Sequence, residues 1–382
     1  MADFNFKKWN LILGWFAFLT AFITYSLTVE PTVSFWDAGE YILTSSKLQV
    51  GHPPGAPFFQ MMGAFFSIFA TDPTQIGLMI NMMSATASAF TILFMFWSIV
   101  LLIKQVVKNN NESSKGQNAA ILGAAFVGSL SFAFTDSFWF NAVETEVYAM
   151  ATLIMAVLFY LGLRWGNDMF TPRGNKWLIL ISFVVGLSFG VHFMGLLTIP
   201  AIGLIYYFKN YKTITVKNYV LANLAGIAVL LFVFKLLAPN ILRYFSALGI
   251  FFVNSVGLPF NSGSIIAFVL LVGFIIFGIR YTRKKNYVNL NTALLCITFV
   301  VVGFSSWLML PIRANANVTV TENNPSSARE LLAYYNLEQY PKTHLFYGPQ
   351  FTDQYAGLDE NQPYVDDKPK YEKDKKIGKY VV

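Results

Sequence analysis

Hydrophobic positions in this chain fall in long unbroken blocks, several of 17 residues or more, instead of alternating with polar ones. Blocks of that length predict membrane-crossing α-helices, because a hydrocarbon core of about 30 Å takes about 20 helical residues. They cover 9–27, 75–103, 118–134, 147–163, 177–190, 193–208, 218–238, 264–279 and 291–310, which makes nine predicted spans. The fifth and sixth belong to one apolar stretch of 32 residues, 177–208. One crossing cannot use that length, and Lys176 before it with Lys209 and Lys212 after it predict a hairpin turning near Gly190. The expected fold is an all-α polytopic membrane protein with two parts. Residues 1–310 are the membrane domain, with a long first extracytoplasmic loop at 28–74, and 311–382 are a polar extracytoplasmic tail.

Within the first loop, Pro53 and Pro54 forbid a helix, and the 13 residues from 58 to 70 predict a short apolar helix that returns to the membrane surface without crossing. In the tail, Ser327 followed by Glu330 reads as a capping box that starts a helix. Beyond about Pro363 the tail turns Lys/Asp-rich and is expected to be loosely ordered.

Composition sharpens this picture. Hydrophobic residues make up 55% of the 382 and charged residues 12%, about half the charged share of a soluble domain, so a soluble enzyme is excluded. The net charge of +7 raises the question of nucleic acid, and the positions of the cations answer it. With the N-terminus inside, fifteen lysines and arginines fall in cytoplasmic loops, whereas the outer loops before the tail hold Lys47 and Arg243. That is the positive-inside asymmetry, and it orients the chain with a cytoplasmic N-terminus and an extracytoplasmic C-terminus; the expected location is the inner (plasma) membrane, crossed several times. Lipid is the partner implied, and no nucleic acid is needed. The first span follows Lys7 and Lys8 like a signal peptide, but its apolar region is too long and no small-x-small site follows, so it reads as a retained anchor. A single cysteine, Cys296, excludes disulfide frameworks and zinc-thiolate sites.

The acidic residues are biased the other way: Glu30, Asp37, Glu40, Asp72, Asp136, Glu144 and Glu146 all fall in outer loops. Carboxylate chemistry would therefore act on the outer face. The first loop carries Phe35-Trp36-Asp37-Ala38-Gly39-Glu40-Tyr41 and then Gly51-His52-Pro53-Pro54-Gly55-Ala56-Pro57. Asp37 and Glu40 share a face if helical, and aromatics at the edge of a low-dielectric layer raise carboxylate basicity, which suits a general base. The competing reading is an acidic helix start in a solvated loop. His52 either contacts substrate or bonds backbone within a rigid turn. Glu144 and Glu146 either bind substrate or complement the dipole of the span they precede. His192, in Gly190-Val191-His192-Phe193, is a functional candidate at a membrane-facing turn, or a neutral ring packed on backbone. Among outer cations, Arg313 lies just past the last span, where it would grip a phosphate or anchor the helix, and Lys235 and Arg243 are further phosphate candidates. No cofactor is expected and no metal site is assigned, with a divalent cation at the carboxylates left open.

These segments, together with Leu48-Gln49-Val50, Ala142-Val143-Glu144-Thr145-Glu146-Val147-Tyr148-Ala149, Ile312-Arg313-Ala314-Asn315 and Glu322-Asn323-Asn324-Pro325, resemble the GT-C superfamily of polytopic glycosyltransferases and, within it, glycosyltransferase family 117. The resemblance implies a GT-C fold and inverting transfer of a sugar, mannose expected, from a polyprenyl-phosphate donor to Ser or Thr of an exported protein acceptor. It places Asp37 as the catalytic acidic residue and Arg313 at the donor phosphate; Glu40 or Tyr41 is then expected to hold Asp37 in line, and Lys235 or Arg243 to join Arg313. Trp36, Tyr41, His52, Glu144, Glu146 and His192 would line the substrate site. Many family members continue into a large soluble region, which leaves acceptor recognition open. A transporter or flippase, or a structural subunit of an export machine, is the alternative reading; the first would place ionisable groups near the bilayer midplane.

Overall fold

The computed structural model describes residues 5–107, 114–341 and 370–382, and the protein is helical almost throughout them. In chain order the helices are α1 (Phe6–Thr28), α2 (Ala38–Ser46), α3 (Pro57–Ser67), α4 (Ile76–Val106), α5 (Lys115–Ala133), α6 (Asp136–Ala142), α7 (Val147–Asp168), α8 (Gly174–Ser188), α9 (Thr198–Asn210), α10 (Val216–Leu231), α11 (Ala238–Asn254), α12 (Ser262–Lys284), α13 (Val288–Phe304), α14 (Met309–Asn315) and α15 (Ala328–Tyr335). Every apolar block is helical, but the count of nine crossings needs correction. Among the described residues six helical stretches are long and apolar enough to cross a membrane, or seven if α5 and α6, bent by 70° at their junction, form one span. The block at 177–208 breaks into α8, of 15 residues, and α9, of 13, joined by a 3-10 turn at Phe193–Leu197. Each is shorter than the ~20 residues a crossing takes.

A second correction concerns 218–238. The helix does not stop there but runs from Val216 to Asn254, 39 residues, through π turns at Phe232–Leu237. Those turns lie directly before Pro239, which has no amide to offer the carbonyl four residues back. At 1.5 Å per residue the helix is about 58 Å long, nearly twice the ~30 Å hydrocarbon core. Arg243 is therefore helical rather than in a loop, and Lys235 sits mid-helix.

Helix α4 is the hub of the N-terminal half, packed against α1, α5 and α7, while α8 packs on α13. The α8–α13 contact is glycine-made: a Cβ on Gly186 would lie 2.2 Å from the Val300 carbonyl, and one on Gly303 2.4 Å from that of Phe183. Without a hydrophobic driving force in lipid, close backbone approach of this kind supplies the packing energy. Outward faces stay apolar and exposed, as in α12 with Ile265, Phe274 and Phe277, which suits contact with lipid chains.

The principal core runs continuously from the spans into the outer segments, joining Leu158, Val185 and Val300 to Tyr41, Val50, Phe59, Trp307 and Tyr334. The first loop and the tail are thus built onto the membrane body. Helix α3 matches the predicted short apolar helix, and its first amides, Phe58 and Phe59, donate to the Gly190 carbonyl at 2.7 and 3.0 Å. Ser327 caps α15 by accepting from the Glu330 amide, but Glu330 accepts from the Ser326 hydroxyl (2.8 Å) instead of returning to the Ser327 amide. The expectation of a loosely ordered end beyond Pro363 lies partly outside the described residues. Its last part is corrected: β1 (Glu372–Asp374) and β2 (Lys379–Val381) form an antiparallel hairpin. Tyr380 exchanges two hydrogen bonds with the Asn254 side chain at the end of α11.

Replacing Gly186 with valine should wedge α8 from α13 and cost about 1–3 kcal/mol or more, as overpacking does. Thermal unfolding of the purified protein in detergent measures this, and an unchanged midpoint would contradict the packing described.

Candidate functional site

The ends of α1, α4 and α7 on one face of the bundle hold the two acidic loops together through Asn81. This side chain is fully buried near the start of α4. Its Nδ2 donates to the carbonyls of Glu30 (2.7 Å) and Thr32 (2.8 Å), and its Oδ1 accepts from the Thr145 hydroxyl. The Glu30 amide also donates to the Val143 carbonyl at 2.9 Å. Residues 30–32 of the first loop are thereby pinned to Thr145 of the second, which stands between Glu144 and Glu146. Both glutamates are buried, at 2% and 6% exposure.

Asp37 takes the N-cap position of α2 and is itself exposed, whereas Ala38 behind it is fully buried. Trp36 precedes it in the left-handed region, φ 60°, a costly conformation for a bulky residue. The strain coincides with the projection of Phe35 and Trp36, 77% and 85% exposed, out of the fold beside the carboxylate. Glu146 lies across from Asp37. Burial pushes its carboxyl up to about 7, and the negative charges of Asp37 and Glu144 add to the rise. Glu144 is also raised, by burial and by Glu30, with the nearby Ser34 hydroxyl working the other way.

Glu40, three residues from Asp37, belongs to a different pairing. Its Oε1 accepts from the His52 amide at 2.6 Å, and its Oε2 meets His52 Nδ1 at 2.9 Å. Burial alone would raise Glu40, but the hydrogen bonds and charge of His52 outweigh it and hold the carboxyl below its ordinary value. The hydrogen bond from Glu40 correspondingly raises His52 against its own burial. Gly51 makes room for this pair, since a Cβ there would lie 2.5 Å from Glu40 Oε1. Tyr41 packs between, its ring 5.9 Å from His52 and 5.2 Å from Phe59. Burial drives its phenol up, and the charges of Glu146, Asp37 and Glu40 add to that. Asp37, Glu40, Tyr41, His52, Glu144 and Glu146 thus form one constellation.

His192 touches its margin through Tyr148, ring centroids 5.4 Å apart. Its Nδ1 accepts from the Met194 amide at 3.1 Å, which leaves the proton of the neutral ring on Nε2, and burial lowers its basicity. Arg313 is committed to protein: Nε donates to the Leu48 carbonyl at 2.6 Å and Nη2 to that of Lys47 at 3.0 Å. A cation there satisfies the carbonyls at the C-terminal end of α2 and complements its dipole. Lys235 and Arg243 stand apart on the long helix, both exposed, the first over the Phe234 ring at 4.6 Å and the second bonded to Asn240 at 3.2 Å.

The tail completes the site. Val50 pairs in parallel with Thr321, its amide donating to Val320 and its carbonyl accepting from Glu322. Gln49 accepts from the Val320 amide at 2.6 Å, and the buried Tyr334 hydroxyl donates to the Gly51 carbonyl. Glu322 is brought near Glu40 and His52, where burial and Glu40 raise it. Asn81 and Tyr334 lie in no motif that sets them apart in the sequence, whereas Tyr148 and Glu322 stand in quoted segments without a role assigned to them there. Among the described residues, no three His, Cys, Asp or Glu side chains converge in a group able to hold a metal ion.

Residues 37–215 match the family model described as protein O-mannosyl-transferase TMEM260 N-terminal domain. The match begins at Asp37 and takes in His52, Glu144, Glu146 and His192, while Lys235, Arg243 and Arg313 lie beyond it. Residues 341–382 match a family of unknown function (DUF8416). Among curated proteins, the chain is 26% identical over 195 residues to the protein O-mannosyl-transferase tmem260 of Dictyostelium discoideum, 48% of this chain and 22% of that protein. It is 23% identical over 171 residues to protein O-mannosyl-transferase TMEM260 of Mus musculus, 45% of this chain and 22% of that protein. The alignments therefore span about a fifth of these relatives' length. No solved structure matches. The resemblance carried by the acidic motifs holds over the N-terminal half.

Two measurements test the electrostatic arrangement. Asn81→Ala leaves two carbonyls and the Thr145 hydroxyl unpaired, at about 1–3 kcal/mol each, so the thermal midpoint should fall sharply. Glu146 keeps a proton in the folded state that the unfolded chain releases near 4.5. Its contribution to stability is therefore lost as pH rises from about 4.5 through about 7. Glu146→Gln should flatten the decline in stability between pH 5 and pH 8, and parallel profiles for the two proteins would reject the assignment.

Proposed function

From the likeness of residues 37–215 to the N-terminal domain of protein O-mannosyl-transferases, we propose that this protein is an integral-membrane glycosyltransferase. It moves mannose from a polyprenyl-phosphate donor to a Ser or Thr hydroxyl of an exported protein. The observation that carries the reading is the crowding of Asp37, Glu144 and Glu146 at one end of the bundle, with Glu146 raised to about 7. Carboxylates held in unlike environments divide acid and base work between them, whereas a scaffold gains nothing from burying them together.

In this mechanism Asp37, exposed at the start of α2, takes the proton of the acceptor hydroxyl. The acceptor oxygen bonds to the anomeric carbon as the bond from that carbon to the carrier phosphate oxygen breaks. The phosphate leaves with the electron pair, and the sugar inverts. Glu146, near half protonation at neutral pH, holds the acceptor hydroxyl or a sugar hydroxyl by hydrogen bond. Trp36 and Phe35 offer faces for the sugar or the peptide. The Glu40–His52 pair stiffens the loop behind Tyr41, and Arg313 acts by fixing the end of α2. Lys235 and Arg243, the cations expected at the phosphate, stand apart from these carboxylates on the long helix and enter no step at Asp37.

An apolar cavity of about 600 Å³ between α11, α12 and α13 suits the isoprenoid tail. Its polar end is made by Asn315, Ser326 and Ser327 of the tail, and Ile312, beside Arg313, lines it. The tail is the common wall of this cavity and the first loop, although the carboxylates do not themselves line the cavity. The topology that fits places the carboxylates on the extracytoplasmic face of the plasma membrane. Transport and flipping fit less well, since these carboxylates gather at helix ends and not at mid-span.

The test is transfer from polyprenyl-phospho-mannose to Ser/Thr-containing acceptor peptides by the purified protein in liposomes. Asp37→Asn should lower kcat by at least about a hundredfold, the scale of a lost general base, with helix content unchanged. Full activity in Asp37→Asn would overturn the base assignment, and no transfer by the folded wild type would remove the enzyme reading.

A further inference from the structure

The same three helices that hold the carboxylates at one end, α1, α4 and α7, enclose a second site at the other. A cavity of about 380 Å³ lies there, lined by Lys7, Asn10, Trp97, Lys104, Tyr160 and Arg164 together with apolar side chains. That volume lies within the usual range for small-ligand pockets. Three helices each contribute a cation, and among the described residues none of the three forms an ion pair. Aromatic groups hold two of them instead. Lys104 Nζ lies 3.4 Å from the centre of the Phe6 ring, and the Arg164 guanidinium lies 5.3 Å from that of Trp177. Arg164 Nη1 donates to the Tyr160 hydroxyl at 3.3 Å. Asp168, one turn beyond Arg164, has its Oδ2 taken by the Trp177 indole N–H at 2.8 Å. Asn10 Oδ1 is buried without a hydrogen-bond partner.

Three cations lining one cavity without an anion present positive charge from three sides to a negative group placed among them. The cavity lies at the ends of membrane-spanning helices, at the depth of lipid headgroups. Basic pockets between helices at this depth bind phosphate-bearing headgroups. The orphaned Asn10 acceptor adds a second requirement, a hydroxyl donor beside the phosphate, as in a glycerol or inositol headgroup. We propose that this cavity binds the headgroup of an anionic, hydroxyl-bearing phospholipid in the leaflet opposite the carboxylate site.

The experiment uses the full chain in nanodiscs of phosphatidylcholine with or without phosphatidylglycerol, and native mass spectrometry to count retained lipids. Wild type should retain phosphatidylglycerol over phosphatidylcholine. The double variant Lys104→Gln/Arg164→Gln should weaken that preference roughly 25-fold, about fivefold for each cation removed. The control Arg280→Gln/Lys284→Gln, which removes two cations from the end of α12 outside the cavity, should leave it unchanged. Lys7→Gln, on the exposed first turn of α1, should lose about fivefold and serves if the double variant does not fold. Asn10→Ala should narrow the preference for phosphatidylglycerol over phosphatidic acid, whose headgroup lacks the hydroxyls. Equal retention by the cavity variants and the control would overturn the proposal. So would inorganic phosphate displacing phosphatidylglycerol from the wild type at equal concentration, which would assign the cavity to a free anion.

Discussion

Asn81 is the constraint on which the outer architecture rests. A buried amide can satisfy one donor pair and one acceptor only if its partners arrive in fixed positions, and here the partners are two backbone carbonyls of one loop and a hydroxyl of another. The low dielectric that strengthens these bonds also makes each expensive to lose. Residues 30–32 cannot drift while α4 stands, and Thr145 cannot turn without orphaning Asn81. The placement of Glu144 and Glu146 on either side of Thr145 follows from that knot.

Around it the carboxylates divide into two electrostatic classes. Glu40 is compensated, gripped by both the amide and the ring of His52, and behaves as a structural anion. Glu144 and Glu146 have no cationic partner and lie buried near other negative charge, which outweighs the hydrogen bonds they receive and raises both carboxyls. A fold under pressure only to be stable would replace such groups or pair them. Retaining them at a helix start, beside two projecting aromatics on a strained backbone, is the pattern expected where charge is kept ready for use.

Much of this was legible in the sequence, and the boundary has physical causes. The helices were legible because hydrophobic blocks impose a one-dimensional signal that no distant contact overrides. At 177–208 the break near Gly190 was legible, but not the 3-10 turn that shortens α9; at 218–238 the signal misled, because π turns carry the helix past Pro239. The types of the site residues were also legible, since Asp37, Glu146 and His52 stand in the outer loops where the acidic residues gather. Their pairing was not. Asp37 and Glu40, three apart, appeared to belong together, yet one faces Glu146 and the other His52. The work of Arg313 depends on where carbonyls 265 and 266 residues earlier in the chain come to lie, which spacing cannot supply.

The parallel pairing of Val50 with Thr321 carries a consequence for biogenesis. It closes a loop of some 270 residues around all but the first of the membrane-crossing helices, and long-range contacts of this kind form late. The N-terminal segments enter the bilayer with their acidic cradle unfinished, lacking the seam and the guanidinium that later hold it. The cradle is therefore complete only when the last helix has been integrated, so a chain still being threaded into the membrane leaves these acidic side chains without their closing wall.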